Sequence, residues 1–412
     1  MPRKFFMFLI TFVSILVVSA CNSNEKTGSA GQNETGINET IKIGMSGAIT
    51  GPYSDYGTGT SNAAKIAIDE WNEKGGINGQ KIELITLDDQ LSPDRAASNI
   101  QQLLQKEKIH AGILPQGSGA TMAALPHAVS SGIPFVNTTS QAVEITYPNG
   151  TDKEPYPNIF SFAIQNDVES GAMGKIIPTL GYKKVALLAE STPYGQSGLD
   201  LVEEHLKKQG IDMVGREQYD QTATSVSAQL AKLGEKKPEL LVVIGLASDV
   251  ATITKDLNRL GLEIPMVTSA AATAPQYKKL AGDLVLGVRP VFISTYAENE
   301  LNPRATQLVE KYVERYGADN WFEEDGTPSP FFMIVSNGYD ATNFLLSSIE
   351  KANSLDPNKI LTEMEKIEIT GATIPEPVRM SKESHNVIKS EHLKMGEYVK
   401  GDGKIRIEIM EE

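Results

Sequence analysis

A chain of 412 residues, 40% hydrophobic and 22% charged, has the composition of a globular protein long enough for two ordinary domains. Its formal net charge of -14 argues against a nucleic-acid partner, because a phosphate backbone demands a basic surface, and against adsorption to anionic lipid heads through charge. The acidity reads as a solubility charge.

In chain order, Arg3 and Lys4 give a positive start, and residues 5–20 then run without a charge. Such a run is short for a membrane span and right for a secretory signal. The single cysteine, Cys21, directly follows Val18-Ser19-Ala20. This arrangement resembles the bacterial lipobox, in which a cysteine behind a small residue is lipidated and becomes the mature N-terminus. One cysteine allows no intramolecular disulfide, so the core alone must hold the fold. Residues 1–20 are expected to be a lipoprotein signal peptide. Residues 21–40, rich in Asn, Gly, Ser, Thr and Glu, are expected to be a flexible tether.

From residue 41 the pattern alternates between strand and helix. Residues 41–45 predict a strand. Ala64, Ala67, Ile68 and Trp71 share one face of a helix over 60–74, which Gly75-Gly76 ends. A strand follows over 81–87. Ser92-Pro93-Asp94 opens a helix with a capping serine, a first-turn proline and an acid on the dipole. A strand is expected at 109–114, a helix at 120–130 despite Pro126, and a strand at 133–137.

The rhythm restarts after about residue 165. Strands are expected at 184–188, 240–244 and 265–268, and helices at 195–208, 226–233 and behind a capping Ser248. Alternation of this kind implies parallel sheets covered by helices, and two runs imply two α/β lobes. Residues 285–293 read as extended. Helices are then expected at 302–316, 334–351 and within 356–367. Residues 395–409 read as a hairpin that turns at Gly401-Asp402-Gly403.

Several short stretches recur in one known family. They are Ile43-Gly44 through Gly51-Pro52, Tyr56-Gly57, Gly75-Gly76-Ile77-Asn78-Gly79, and Asp88-Asp89 followed by Ser92-Pro93. To these add Gly117-Ser118-Gly119-Ala120-Thr121, Gly132-Ile133-Pro134, Tyr194-Gly195 and Tyr339-Asp340-Ala341. By their order and spacing, residues 41–409 resemble the branched-chain amino-acid binding proteins, the leucine/isoleucine/valine-type (type I) periplasmic binding proteins. The resemblance implies an α/β fold of two doubly wound parallel-sheet lobes, joined by three crossovers and closing on a ligand. Crossovers are expected near 161–162, 290–293 and 370–380. Lobe 1 would then hold 41–162 and 294–371, and lobe 2 would hold 163–293 and 372–412. The implied function is that of an extracytoplasmic solute-binding lipoprotein. It would pass a small amino acid, carboxylate or amide to the permease subunits of an ABC importer. It would act as a monomer held at the cell membrane by its lipid anchor alone, without a cofactor.

The same resemblance directs attention to particular residues. Ser118 lies between a predicted strand and a predicted helix. Its neighbours Gly117 and Gly119 would let a ligand approach the backbone, and a helix N-terminus offers free N–H groups to a carboxylate. In resembling proteins this serine and the nearby backbone hold the ligand carboxylate; the plain alternative is a turn and helix cap. A dinucleotide loop is not supported, since Met122 stands where a third glycine belongs. Thr139 and Gln141 fall where the family offers a carbonyl and a hydroxyl, and Gln141 is longer than the usual residue. Tyr56 and Tyr194 match aromatic positions on opposite lobes, each able to give apolar contact with a polar tip.

The main departure is at Ala270. Amino-acid-binding members place an acid after the strand written here as 265–268, but this chain has Ser269-Ala270-Ala271-Ala272-Thr273. A desolvated ammonium needs a partner, so the ligand is expected to lack an amine. Asp249 or Glu190 could substitute for the missing acid, but both read as residues of solvated loops. As for other functions, the histidines at 110, 127, 205, 385 and 392 form no close metal motif, and the two at 385 and 392 read as part of a polar tail. No nucleophile elbow or phosphate loop is present, and Asp88-Asp89 point to opposite faces of a strand end. An enzyme is therefore not expected. A ligand-sensing receptor of the same fold, presenting its closed form to a membrane sensor, is the alternative.

Overall fold

A computed structural model describes residues 40–297, 300–318 and 320–410. The signal segment 1–20, the lipidation candidate Cys21 and the tether up to residue 39 lie outside the described residues.

The first sheet forms from short apolar runs. β1 (Ile41–Gly47) buries Ile41, Ile43 and Met45 and pairs in parallel with β2 (Ile82–Asp88) and β3 (Ala111–Ile113). β4 (Phe135–Asn137) and β5 (Ile159–Ser161) extend it in the order β2-β1-β3-β4-β5. Strand residues alternate between faces: Phe135 joins a core with α2 (Pro93–Gln102) and α3 (Ser118–Ser131), while its neighbour Val136 joins the other core. That other face carries α1 (Ser54–Glu73). Each fully buried aliphatic side chain contributes about 1.5–3 kcal/mol.

The second sheet repeats the plan. After α4 (Asn166–Ile176), β6 (Lys184–Glu190) pairs in parallel with β7 (Asp212–Tyr219) and β8 (Leu240–Ile244). α5 (Pro193–Lys208), α6 (Ser227–Glu235) and α7 (Ala247–Leu260) connect these strands and lead to β9 (Met266–Thr268). α8 (Pro275–Ala281) precedes β10 (Arg289–Ile293). All five residues of β8 are buried, as expected of a parallel strand covered on both faces.

The chain then returns to the first lobe. α9 (Pro303–Tyr316), α10 (Met333–Ala352) and α11 (Pro357–Met364) lie on that side, with α10 packed along α1. A small pair, β11 (Glu368–Ile369) with β12 (Val378–Arg379), follows. β13 (Leu393–Gly401) adds antiparallel to β10, and β14 (Lys404–Ile409) closes a hairpin on it. The second sheet thus runs β14-β13-β10-β9-β8-β6-β7.

The third passage between lobes comes late. Ala372 and Thr373 still donate their N–H groups to the Asp340 carboxylate of α10, at 2.8 and 2.9 Å. His385 is not in a polar tail. It is buried and stacked on Phe160 of β5, 3.9 Å between ring centroids, with Nδ1 2.9 Å from the Ile159 carbonyl. Burial holds its imidazole below the usual range.

Other sequence expectations shift for physical reasons. α1 starts at Ser54, ahead of the expected residue 60, and runs through Gly57, which weakens the helix signal but is needed because a Cβ would lie 2.2 Å from the Ala48 carbonyl oxygen. Ser248 is not a cap. α7 begins behind Leu246, and the Asp249 carboxylate reaches back to the Leu246 N–H at 3.3 Å. Among the described residues, no helix is long and apolar enough to cross a membrane.

Candidate functional site

Both sheets reverse their strand order, the first between β1 and β3 and the second between β6 and β8. Ligands of open α/β sheets bind outside the carboxyl ends of strands at such switch points. A narrow cavity lies there, walled by both lobes. The first lobe contributes Tyr56, Gly117, Ser118, residues 138–141 and Asn337. The second contributes Ile164, Glu190, Tyr194, Gln221, Leu246 and Ala271. Leu91, Phe331, Met333 and Ile334 make one side strongly apolar.

The first-lobe wall is built around the start of α3. Gly117 precedes it with φ +78°, and no side chain caps the helix. The conformation requires glycine, and a Cβ there would also lie 2.7 Å from the end of the Leu91 side chain, which would have to shift. Ser118 Oγ accepts from the N–H groups of Gln141 (3.1 Å) and Ala142 (3.0 Å), which ties the loop after β4 to the helix start. Its own proton remains free to be donated. Beneath it, the Thr121 and Ser140 hydroxyls lie 2.7 Å apart and both within reach of the Pro115 carbonyl, so one donates to the other and the second to that carbonyl. The buried Thr138 and Thr139 hydroxyls have no hydrogen-bond partner in the protein. Such a wall suits an anionic oxygen: first-turn N–H groups, a positive dipole end and a hydroxyl converge on it.

Gln141 is placed differently from a free ligand donor. With its amide nitrogen turned toward them, it donates to Glu169 Oε2 at 3.2 Å and to the Ile164 carbonyl at 3.0 Å. Its backbone carbonyl accepts from the Asn166 N–H at 2.8 Å. The longer side chain therefore ties the first lobe to α4. Burial pushes the Glu169 carboxyl up to about 7, against the Ala270 N–H that holds it down from 3.0 Å.

The second-lobe wall corrects two expectations. Glu190 and Asp249 are not in solvated loops; both are buried. The polar sequence around them suggested exposure, but the first lobe covers them. Glu190 Oε1 accepts from the Thr192 hydroxyl and from the Gly195 N–H, the latter at 3.2 Å. Burial raises its pKa, opposed by these groups and by the Thr192 N–H. Burial likewise pushes Asp249 up to about 7. Its oxygens take the Tyr53 hydroxyl (3.1 Å) and the Leu246 N–H (3.3 Å).

Of the residues singled out from sequence, Tyr56, Gly117, Ser118, Thr139, Gln141 and Tyr194 line this one cavity. Gly119 and Ala270 stand behind it. A Cβ on Gly119 would lie 3.6 Å from Thr192 of the other lobe, and the Ala270 N–H is held by Glu169, with Ala271 facing the cavity instead. Sequence reasoning missed Phe331, Ile334 and Asn337. Phe331 meets the Tyr56 ring edge-on at 5.2 Å, and Asn337 donates to the Thr138 carbonyl at 3.3 Å. The signal available was Tyr339-Asp340-Ala341, two residues beyond Asn337 in the same helix.

Known proteins share this architecture. A family model described as a periplasmic binding protein matches residues 40–401. Leu/Ile/Val-binding protein homolog 7 of Brucella abortus (strain 2308) is 25% identical over 346 residues, covering 80% of this chain and 82% of that protein. A type 1 periplasmic binding protein from Bordetella pertussis Tohama I superposes with a TM-score of 0.86 at 38% identity, covering 90% of this chain and 100% of its own. A solute-binding protein of an ABC transporter from Rhodopseudomonas palustris BisB5, in complex with 3,4-dihydroxybenzoic acid, shares the fold with a TM-score of 0.75 at 20% identity, covering 90% and 96%. The chain therefore belongs to the periplasmic binding protein family, as a type I member of the kind that includes the Leu/Ile/Val-binding proteins.

Proposed function

We propose that this protein captures a small carboxylate-bearing solute between its two lobes outside the cell and delivers it to the permease subunits of an ABC importer. It acts as a monomer, without catalysis, and a lipid on Cys21 holds it at the membrane. Lobe 1 is built on residues 41–162 and 294–371 and keeps the chain as far as His385, lobe 2 holds the rest of the folded chain, and a hinge motion opens and closes them.

One observation carries this reading. The start of α3, without a side-chain cap, and the Ser118 hydroxyl stand on the wall of a cavity that the second lobe covers. Ser118, Gly117 and Thr139 receive the carboxylate, and Tyr56 and Tyr194 hold the apolar body from opposite lobes. Gln141 positions the loop that carries Thr139. The family places the protein outside the cytoplasm, and its named relatives are binding proteins.

The test is a thermal-shift screen of the full chain in detergent, against apolar amino acids, aliphatic acids, hydroxybenzoic acids and their amides. A bound solute raises the melting temperature by mass action. At least one acid is expected to do so saturably while its amide does not. A screen in which no compound of any class shifts the transition contradicts the proposal.

A further inference from the structure

Residues 321–329 of the first lobe fold back on themselves just before Phe331 reaches the cavity. The Glu323 N–H donates to the Thr327 carbonyl at 2.8 Å, the Gly326 N–H to the Glu323 carbonyl at 2.9 Å, and the Ser329 N–H to the Trp321 carbonyl at 2.9 Å. Phe322 bridges antiparallel to Pro328. Gly326 takes φ +84° in the turn. Asp325 steadies the turn by accepting from the Thr327 N–H at 3.0 Å and from its hydroxyl at 2.6 Å. The segment is thus a short hairpin that holds its own shape.

Its base and its tip touch different lobes. At the base, Trp321 is buried against α1, so close that a Cβ on Gly59 would lie 2.5 Å from its ring. The same ring stacks on Phe331, with centroids 5.7 Å apart and planes at 13°, and Phe331 meets Tyr56 in the cavity wall. At the tip, the Glu323 carboxylate pairs with Lys278 of α8 in the second lobe. Lys278 also donates to the Ile405 carbonyl of β14 at 3.3 Å. The two charged side chains are only 15% and 13% exposed. Charges covered to this degree are costly unless each has a partner, and here each finds the other across the two lobes. Opening the lobes parts them.

We propose that residues 321–329 form a strap that fastens the closed lobes, with Glu323 and Lys278 as positioning residues that fix Phe331 against the bound solute. This rests on the reading that the lobes close on a solute. The route is short: the ion pair holds the tip, the hairpin hydrogen bonds carry the constraint to Trp321, and the ring stack carries it to Phe331. A solute that reaches Phe331 is gripped by a side chain that the fastened strap keeps in place. A solute too small to reach it gains less from the ion pair.

The experiment is titration calorimetry, with stopped-flow tryptophan fluorescence for the rates, on the full chain, on Glu323→Gln, and on the exchanged pair Glu323→Lys with Lys278→Glu. The probes are L-leucine, isocaproate, L-phenylalanine and phenylpropionate. For a probe that binds the unaltered protein, Glu323→Gln is expected to lose about five- to fifty-fold in affinity, between the values for exposed and fully buried pairs. The loss is expected as faster dissociation, and the exchanged pair is expected to recover most of it. Where a leucine-sized and a phenylalanine-sized probe both bind, the larger is expected to lose more. A purely structural pair would instead lower the melting temperature of the probe-free protein and leave affinity and dissociation rate unchanged, which overturns the proposal. An exchanged pair no better than Glu323→Gln also overturns it. If Glu323→Gln does not fold, Lys278→Met, apolar and of similar length, takes its place with the same expected loss. Binding that no variant weakens overturns the strap and leaves the solute-binding reading standing, whereas binding of none of the four probes overturns both.

Discussion

The Tyr53 hydroxyl stands 3.1 Å from Oδ1 of Asp249. Tyr53 leads into α1 of the first lobe, and Asp249 lies in the first turn of α7 in the second. The same hydroxyl donates to the Gln221 carbonyl at 2.7 Å. With Asp249 raised to about 7 by burial, the acid carries a proton below that pH and can donate to Tyr53 while Tyr53 donates to Gln221. The contact joins the lobes beside the cavity.

Tyr53→Phe removes that bridge and keeps the ring. A net hydrogen bond is worth about 0.5–1.5 kcal/mol, so ligand affinity is expected to fall roughly two- to ten-fold, through a smaller closed population. Calorimetry measures the loss. Unchanged affinity would show that Tyr53 does not hold the closed form.

Glu169 sets a pH dependence. Its carboxyl is pushed up to about 7 in the folded protein, against roughly 4.3 for a free glutamate. Between those values the folded state holds a proton that the unfolded state releases. The stability it contributes is therefore present at acid pH and lost as pH rises through about 7. Asp249 acts in the same direction, and His385, held low by burial, acts in the opposite one below about pH 6.5. Comparing Glu169→Gln with the unaltered protein isolates one group. The variant's melting temperature, followed by circular dichroism from pH 5 to 8, is expected to decline less. Parallel curves would contradict the assignment.

The sequence carried the first-lobe wall well, because Gly117-Ser118-Gly119 states its own backbone demand: positive φ at Gly117, then a helix. It carried β8 fully, because a covered parallel strand is a plain apolar run. It failed at α4, where Asn166–Ile176 mixes small, acidic and apolar residues, and at β7, where the edge strand Asp212–Tyr219 is largely polar. Glu190 was misread for another reason. Its neighbours Ser191 and Thr192 suggest a wet loop, yet Thr192 lies against the other lobe at Gly119, some seventy residues away along the chain. Only the tertiary structure supplies that contact.

Gly117→Val combines a strained conformation with a clash on Leu91. At φ +78° a side chain costs about 1–3 kcal/mol, and the 2.7 Å approach adds to it. The melting temperature is expected to fall, and binding of any acid to weaken further, because α3 would begin displaced. Gly119→Ala, with ordinary contact at 3.6 Å, is expected to cost much less. Equal effects at the two positions would contradict the reading of this turn.

Cys21→Ser tests the anchor. Metabolic labelling with a tagged fatty acid is expected to mark the unaltered protein and not the variant, with the variant found uncleaved or released. Label still entering the variant would contradict lipidation at this cysteine.

The most direct test of closure on a ligand is small-angle scattering of the full chain in detergent, with the detergent contrast-matched. It should be measured without and with saturating amounts of the compound that gives the largest thermal shift. The radius of gyration is expected to decrease on binding, as the two lobes close around the cavity. A saturable ligand that leaves the radius of gyration unchanged would contradict the hinge.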